Sequence, residues 1–157
     1  MTIDMTKLIT ADMKHADALA GIWEKIKAER DLRGNGGGKV EIATGVFKWF
    51  HSDSKSITQH LANVRKADIH IASGGSPGGI LTVSVDGIIK SIDWKTMDST
   101  WVPLTARIAQ DVVVAIESMV AKCYGVAEYH NTMMRASVDP ANYDYSTGWP
   151  EHFVEVI

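Results

Sequence analysis

The sequence predicts an α+β fold: small antiparallel β-hairpins or a short meander, packed with a short helix and a long C-terminal helix, with an amphipathic helix appended at the N-terminus. Three observations predict it. Apolar residues recur at helical spacing through the last third of the chain, Asp86-Gly87 separates two apolar runs as a tight hairpin turn does, and two glycine-rich breaks divide the periodic segments. A chain of 157 residues with 45% hydrophobic content is near the size of one domain and can bury a substantial core. The organisation expected is a partner-contacting or oligomer-forming helix over residues 1–33, a glycine-rich linker over 34–38 and a compact domain over 39–157.

Between Thr10 and Arg33, Ala16, Leu19, Ile22, Trp23 and Ile26 fall on one helical face, while Lys14, Asp17, Glu24, Lys27 and Arg30 occupy the other. Thr10 is placed to cap this helix and Asp12 suits its positive end. Glycines at 34 and 36–38 end it, because glycine gains too much freedom on leaving a helix. From Lys39 to His51, Val40 and Ile42 alternate with polar neighbours, Thr44-Gly45 supplies a turn and residues 46–50 return as a strand. Ser52, Asp53 or Ser54 caps a short helix that carries Ile57, Leu61 and Val64 to about Lys66. After the second glycine-rich break, strands are expected from Ile80 to Val85 and from Ile88 to Trp94. A further turn near Met97-Asp98-Ser99 leads to Trp101-Val102-Pro103.

Thr105 caps the longest element, which runs to about Ser137 before Asp139-Pro140 stops it. Ala109, Val112, Ile116, Met119, Cys123, Val126, His130 and Met133 form a heptad seam, and Val113, Val120, Ala127 and Met134 form a second apolar row beside it. Part of this stripe packs on the domain's own sheet. At roughly 45 Å the helix is long enough for the rest to meet the N-terminal helix or another chain. Gly125 marks a position for a kink. His130 either fixes register on the seam or, if the helix rotates at Gly125, lies on the surface.

The chemistry-bearing residue types do not assemble into a site. Lys and Arg number 16 against 19 Asp and Glu, a net charge of −3 without a basic cluster, so nucleic-acid binding is not expected. A single cysteine excludes an internal disulfide and a thiolate cluster. Met1-Thr2-Ile3-Asp4 lacks the basic start of an export signal and no run is long enough to span a bilayer, so neither export nor membrane contact is expected. Gly38-Lys39 is followed by Val40, where a phosphate-binding loop needs a hydroxyl. His51-Ser52-Asp53 has the residue types of a hydrolase triad, but adjacent side chains diverge. The six histidines show no paired ligand spacing. No catalytic residue, metal site or cofactor is expected. Trp49, Trp94 and Trp101 lie in strands where packing is the default, and Trp149, between Gly148 and Pro150, reads as an aromatic plug.

Six blocks in order, Gly45-Val46-Phe47-Lys48-Trp49-Phe50-His51-Ser52-Asp53, then Gln59, Trp94-Lys95-Thr96-Met97-Asp98, Trp101-Val102-Pro103-Leu104-Thr105, Glu128-Tyr129-His130 and Asp139-Pro140-Ala141-Asn142-Tyr143-Asp144-Tyr145-Ser146-Thr147-Gly148-Trp149-Pro150, carry a family resemblance. Over about residues 38–150 the chain resembles a domain-of-unknown-function family of tailed phages and prophages, whose members typically lie beside tail-fibre genes. Two departures are Ile57 where the family commonly has Arg, and Ser99 where it has Gly, which suggests a looser turn. The resemblance implies a place in tail or tail-fibre assembly, in host cytoplasm and then in the virion tail, and it supplies no catalytic mechanism.

The function expected is therefore non-enzymatic: a fibre-attached virion component or a fibre-assembly chaperone. Its partner would be a tail-fibre or other tail protein, with self-association, for example as a trimer. The expected interface residues are Leu19, Trp23 and Ile26 on the first helix and Val112, Ile116, Met119, Val126 and Met133 on the last. His51, Ser52, Asp53, Trp94, Tyr143 and Trp149 are expected as structural motif residues. The alternatives are a carbohydrate or receptor-binding module using exposed tryptophans and, last, a small hydrolase.

Overall fold

The computed structural model describes residues 10–155, so the reading of Met1 to Asp4 and the start of the 1–33 segment lie outside the described residues. Helix α1 (Ala11–Gly34) is capped by Thr10, whose side chain accepts from the Met13 amide. Strands β1 (Gly38–Ala43) and β2 (Val46–Phe50) form the expected hairpin, closed at Gly45 with φ 74°, and Glu41 Oε1 accepts from the Gly45 amide at 2.7 Å. Asp53 caps helix α2 (Ser54–Ala72) through the Lys55 and Ser56 amides. This helix runs a turn and a half beyond the expected end, because Asp68, Ile69, His70 and Ile71 continue it until Ser73-Gly74.

The expected meander is divided into separate antiparallel pairs: β3 (Thr82–Val85) with β4 (Ile88–Ser91), and β5 (Asp93–Lys95) with β6 (Trp101–Pro103). The Asp86-Gly87 turn has positive φ at both positions, 51° and 78°, as a tight hairpin requires. Ile92 breaks what the sequence presents as one strand. Its amide donates to the Leu81 carbonyl, the Leu81 amide to the Leu104 carbonyl and the Leu104 amide to the Ile92 carbonyl, all at 2.8 Å. This closed ring of three backbone hydrogen bonds satisfies the groups of three converging segments without a continuous sheet, and it buries Leu81 and Leu104.

Ser99 holds φ 65°, a conformation that favours glycine. The turn is not loose: the Asp98 carboxylate accepts from the Thr96 and Thr100 hydroxyls, and Lys48 pairs with it at 2.6 Å. Ser99→Gly is expected to raise stability by about 1 kcal/mol by relieving the left-handed strain; denaturant unfolding checks it.

Helix α3 (Ala106–Ala136), 31 residues capped by Thr105, runs unbroken through Gly125. Its first half buries Ile108, Val112 and Ile116 against Val40, Phe50, Val102 and Leu104, and its second half buries Ala127 and Met134 against Ile22 and Ile26 of α1. The buried line follows 109, 112, 116, 119, 123, 127, 130 and 134, so it leaves the heptad positions Val126 and Met133. A straight helix repeats every 3.6 residues and drifts out of a seven-residue seam, which moves burial onto the second apolar row. A Cβ at Gly125 meets nothing within 4 Å, so Gly125→Ala is expected to stabilise the helix by about 0.5–1 kcal/mol, read as a raised midpoint of thermal unfolding.

Residues 34–38 are not a free linker. Gly36, Gly37 and Gly38 are buried; Ser52 Oγ accepts from the Gly37 amide at 3.0 Å and donates to the Gly34 carbonyl at 2.9 Å. The helix they follow is correspondingly packed along α3 rather than detached.

Candidate functional site

Of the expected interface residues, Ile26, Val112, Ile116 and Met119 are buried within the chain's own core, although Ile116 lies at the floor of an open apolar cleft with Ile57, Leu61, Val113 and Val120. Leu19 and Trp23 are half-buried against the α1–α3 contact, with Lys27 Nζ 5.8 Å from the Trp23 ring. Val126 is half-buried, and Met133 alone of the set is well exposed, at 44%. The reason is the same drift of α3 together with the docking of α1: most of the stripe that looked available for another chain is covered from within, while Val113 and Val120 stay half-buried along an open cleft beside α2.

His51, Ser52 and Asp53 do not converge. Ser52 is buried with its hydroxyl held between two backbone groups, Asp53 is the α2 cap and is held below its ordinary carboxylate value by the hydrogen bonds from Ser56, and the His51 carbonyl accepts from His60. Ser52 therefore has no accessible lone pair for attack and no neighbouring base.

His60 was not among the expected motif residues. It stacks on Trp94 with ring centroids 4.0 Å apart, and its Nε2–H donates to the His51 carbonyl at 3.0 Å. The available signal was the spacing of His60, Asn63 and Ala67, which α2 buries in place of Leu61. Burial pushes the His60 imidazolium down to about 4, against the raising effect of its bond to His51. The unfolded chain, with an ordinary histidine value of 6.5, therefore binds a proton that the folded chain refuses. Stability is expected to be fully present above about pH 6.5 and to fall by up to about 3 kcal/mol as pH drops to about 4. His60→Phe should flatten that slope in urea unfolding series.

The tail behaves as an anchor. His130 is buried; its Nδ1 lies 2.8 Å from the Tyr143 hydroxyl and its Nε2 lies 2.8 Å from the Thr147 carbonyl. Because a carbonyl only accepts, Nε2 carries the proton and, in the neutral ring, Nδ1 accepts from Tyr143. The Trp149 indole donates to the Tyr145 carbonyl at 2.7 Å, and its ring packs with Tyr143 and Tyr145 against the α1–α3 cluster. Arg33 donates to the Pro150 carbonyl and the Phe153 amide to the Gly36 carbonyl, so the tail straps α1 onto α3. Of the two positions foreseen for His130, it takes the buried one, and its partner is the chain's own tail. Cys123 is buried too, which raises its thiol above the ordinary value and leaves it protonated.

The most exposed apolar feature is the β3–β4 hairpin. Every residue of both strands is exposed, with Ile88 at 60% and Ile89 at 68%. The register sets Val83, Val85 and Ile88 on one face beside the Lys90 stem, and Ile89 opposite Ser84 on the other. Among the described residues, none covers either face, and both outer edges carry unpaired backbone groups. A two-stranded hairpin is marginal alone, and this one is held at its root by the Leu81, Ile92 and Leu104 ring and by the Ile80 to Thr105 bridge. Composition hid it: its alternation reads as half-buried strand, and only the third dimension shows that nothing lies over it.

Among the described residues, no group of three His, Cys, Asp or Glu side chains is placed to hold a metal ion, and no helix is long and apolar enough to cross a membrane. No curated protein and no solved structure matches the chain significantly. A family model described as a domain of unknown function, DUF4376, matches residues 17–147, most of the chain, and the chain belongs to that family.

Proposed function

We propose that this chain is a non-enzymatic tail or tail-fibre protein of a tailed phage, a virion component or an assembly chaperone, that works by binding an extended strand of the tail-fibre protein along its β3–β4 hairpin. The observation that carries the binding mode is the hairpin itself, apolar on one face, uncovered on both and open at its edges. Strand addition to such an edge supplies main-chain hydrogen bonds, while the alternating side chains supply selectivity. The tail context rests on the resemblance of residues 38–150 to phage and prophage proteins encoded beside tail-fibre genes.

Covering the exposed parts of Ile88 and Ile89 contributes roughly 3 kcal/mol to such a complex, a factor of about 100 in affinity. Co-sedimentation of the purified chain with the tail-fibre protein encoded beside it tests the reading. Binding is expected for the native chain, with a loss of about 100-fold in the Ile88→Lys, Ile89→Lys double variant, whose substitutions lie in solvent. A native chain that neither self-associates nor binds the fibre protein contradicts it. Mass spectrometry of purified virions separates a component, which is retained, from a chaperone, which is absent.

A further inference from the structure

We infer that the shallow cleft between the outer face of β5–β6 and the first turns of α2 is a binding site for a neutral saccharide, built on the Trp101 indole. The β5–β6 register pairs Lys95 with Trp101 and Asp93 with Pro103, which puts Asp93, Lys95 and Trp101 on one face and turns Trp94 and Val102 inward. Trp101 is 67% exposed, although an indole at this strand position could have packed against its neighbours. The cleft has a volume of about 320 Å³, and His51 and Gln59 line it with Asp93, Lys95 and Trp101. Among the described residues, the side chains of Gln59, Asp93 and Lys95 form no hydrogen bond within the chain, and His51 is engaged only through its carbonyl.

A pyranose ring presents an apolar C–H face bordered by hydroxyls that both donate and accept. The cleft offers the complement: a flat indole for the C–H face, carboxylate and amide oxygens as acceptors, and amide and ammonium groups as donors. One carboxylate offsets one ammonium, so the site does not select an anion, and a phosphate backbone would meet Asp93. A protein anchor would use the exposed ring equally well, and the titrations below separate the two. This inference stands on different residues from the hairpin and survives or fails independently of the tail-fibre reading.

The test is titration of the full chain with N-acetylglucosamine, methyl glucoside and methyl galactoside, followed by ligand-observed NMR and tryptophan fluorescence, and then a glycan array. Weak binding of at least one neutral pyranoside is expected, reduced about tenfold by Trp101→Ala and in part restored by Trp101→Phe. Asp93→Asn should weaken it as well, and the Ile88→Lys, Ile89→Lys variant should bind as the native chain does. These are surface positions, and circular dichroism verifies that each variant is folded. The inference is overturned if no saccharide on the array binds the native chain, or if Trp101→Ala binds equally well. It is overturned too if Trp101→Ala loses the tail-fibre protein while the native chain binds no sugar, since the indole is then a protein anchor.

Discussion

His130→Ala is expected to lower the unfolding free energy by about 4 kcal/mol. Removing the imidazole breaks the hydrogen bonds to the half-buried Tyr143 hydroxyl and to the carbonyl of the exposed Thr147, each 2.8 Å from a ring nitrogen and each contributing about 1 kcal/mol. The empty space beneath Trp149, whose ring centroid is 5.7 Å from that of His130, adds a cavity penalty. Tyr143→Phe removes one bond and leaves Nδ1 of the buried His130 without its donor, and should cost about 1–3 kcal/mol. Urea unfolding followed by tryptophan fluorescence measures both. If the tail straps α1 to α3 as described, the His130 variant should also show Trp149 in a wetter environment before the global transition.

The second large effect is expected at Gly37. This residue holds φ 90°, and a Cβ there would run into the Met97 sulfur and lie 2.9 Å from the Phe50 carbonyl oxygen. Left-handed strain of about 1–2 kcal/mol adds to an overpacking cost of about 1–3 kcal/mol, so Gly37→Ala should destabilise by about 3 kcal/mol. Gly45 is the internal comparison. It has φ 74° but nothing within 4 Å of a Cβ, so Gly45→Ala carries the strain alone, about 1 kcal/mol. Equal midpoints for the two variants in denaturant would mean that residues 34–38 are the loose linker their composition suggests.

That contrast shows what was legible in the sequence. Caps at Thr10, Asp53 and Thr105, the Thr44-Gly45 and Asp86-Gly87 turns and the extent of α3 depend on interactions within a few residues, and the chain spells them out. The order of three helices and short antiparallel strand pairs followed from them. What the sequence did not carry was which apolar surface meets which. Four closely spaced glycines look alike whether a loop is free or, as here, pressed onto Ser52 and Ile116. The α3 stripe looks alike whether a second chain or α1 covers it. Val83, Val85 and Ile88 look like core because they alternate, and only the absence of a layer above them marks them as surface. His60 carried a faint signal, a polar residue on the buried face of α2, and the Trp101 cleft carried only the tryptophan itself, the basis of the carbohydrate alternative, because residues from three distant segments compose the rest.

On the proposed function, the β3–β4 hairpin is the element that meets a tail-fibre protein. Backbone hydrogen exchange, with the chain alone and then saturated with the tail-fibre protein encoded beside it, reads this contact residue by residue. Amides of Thr82–Val85 and Ile88–Ser91, which exchange fast in the isolated chain because the pair stands in solvent, are expected to become protected on binding while those of α3 change little. A complex that forms without protecting the hairpin, or no complex at all with this partner, contradicts it.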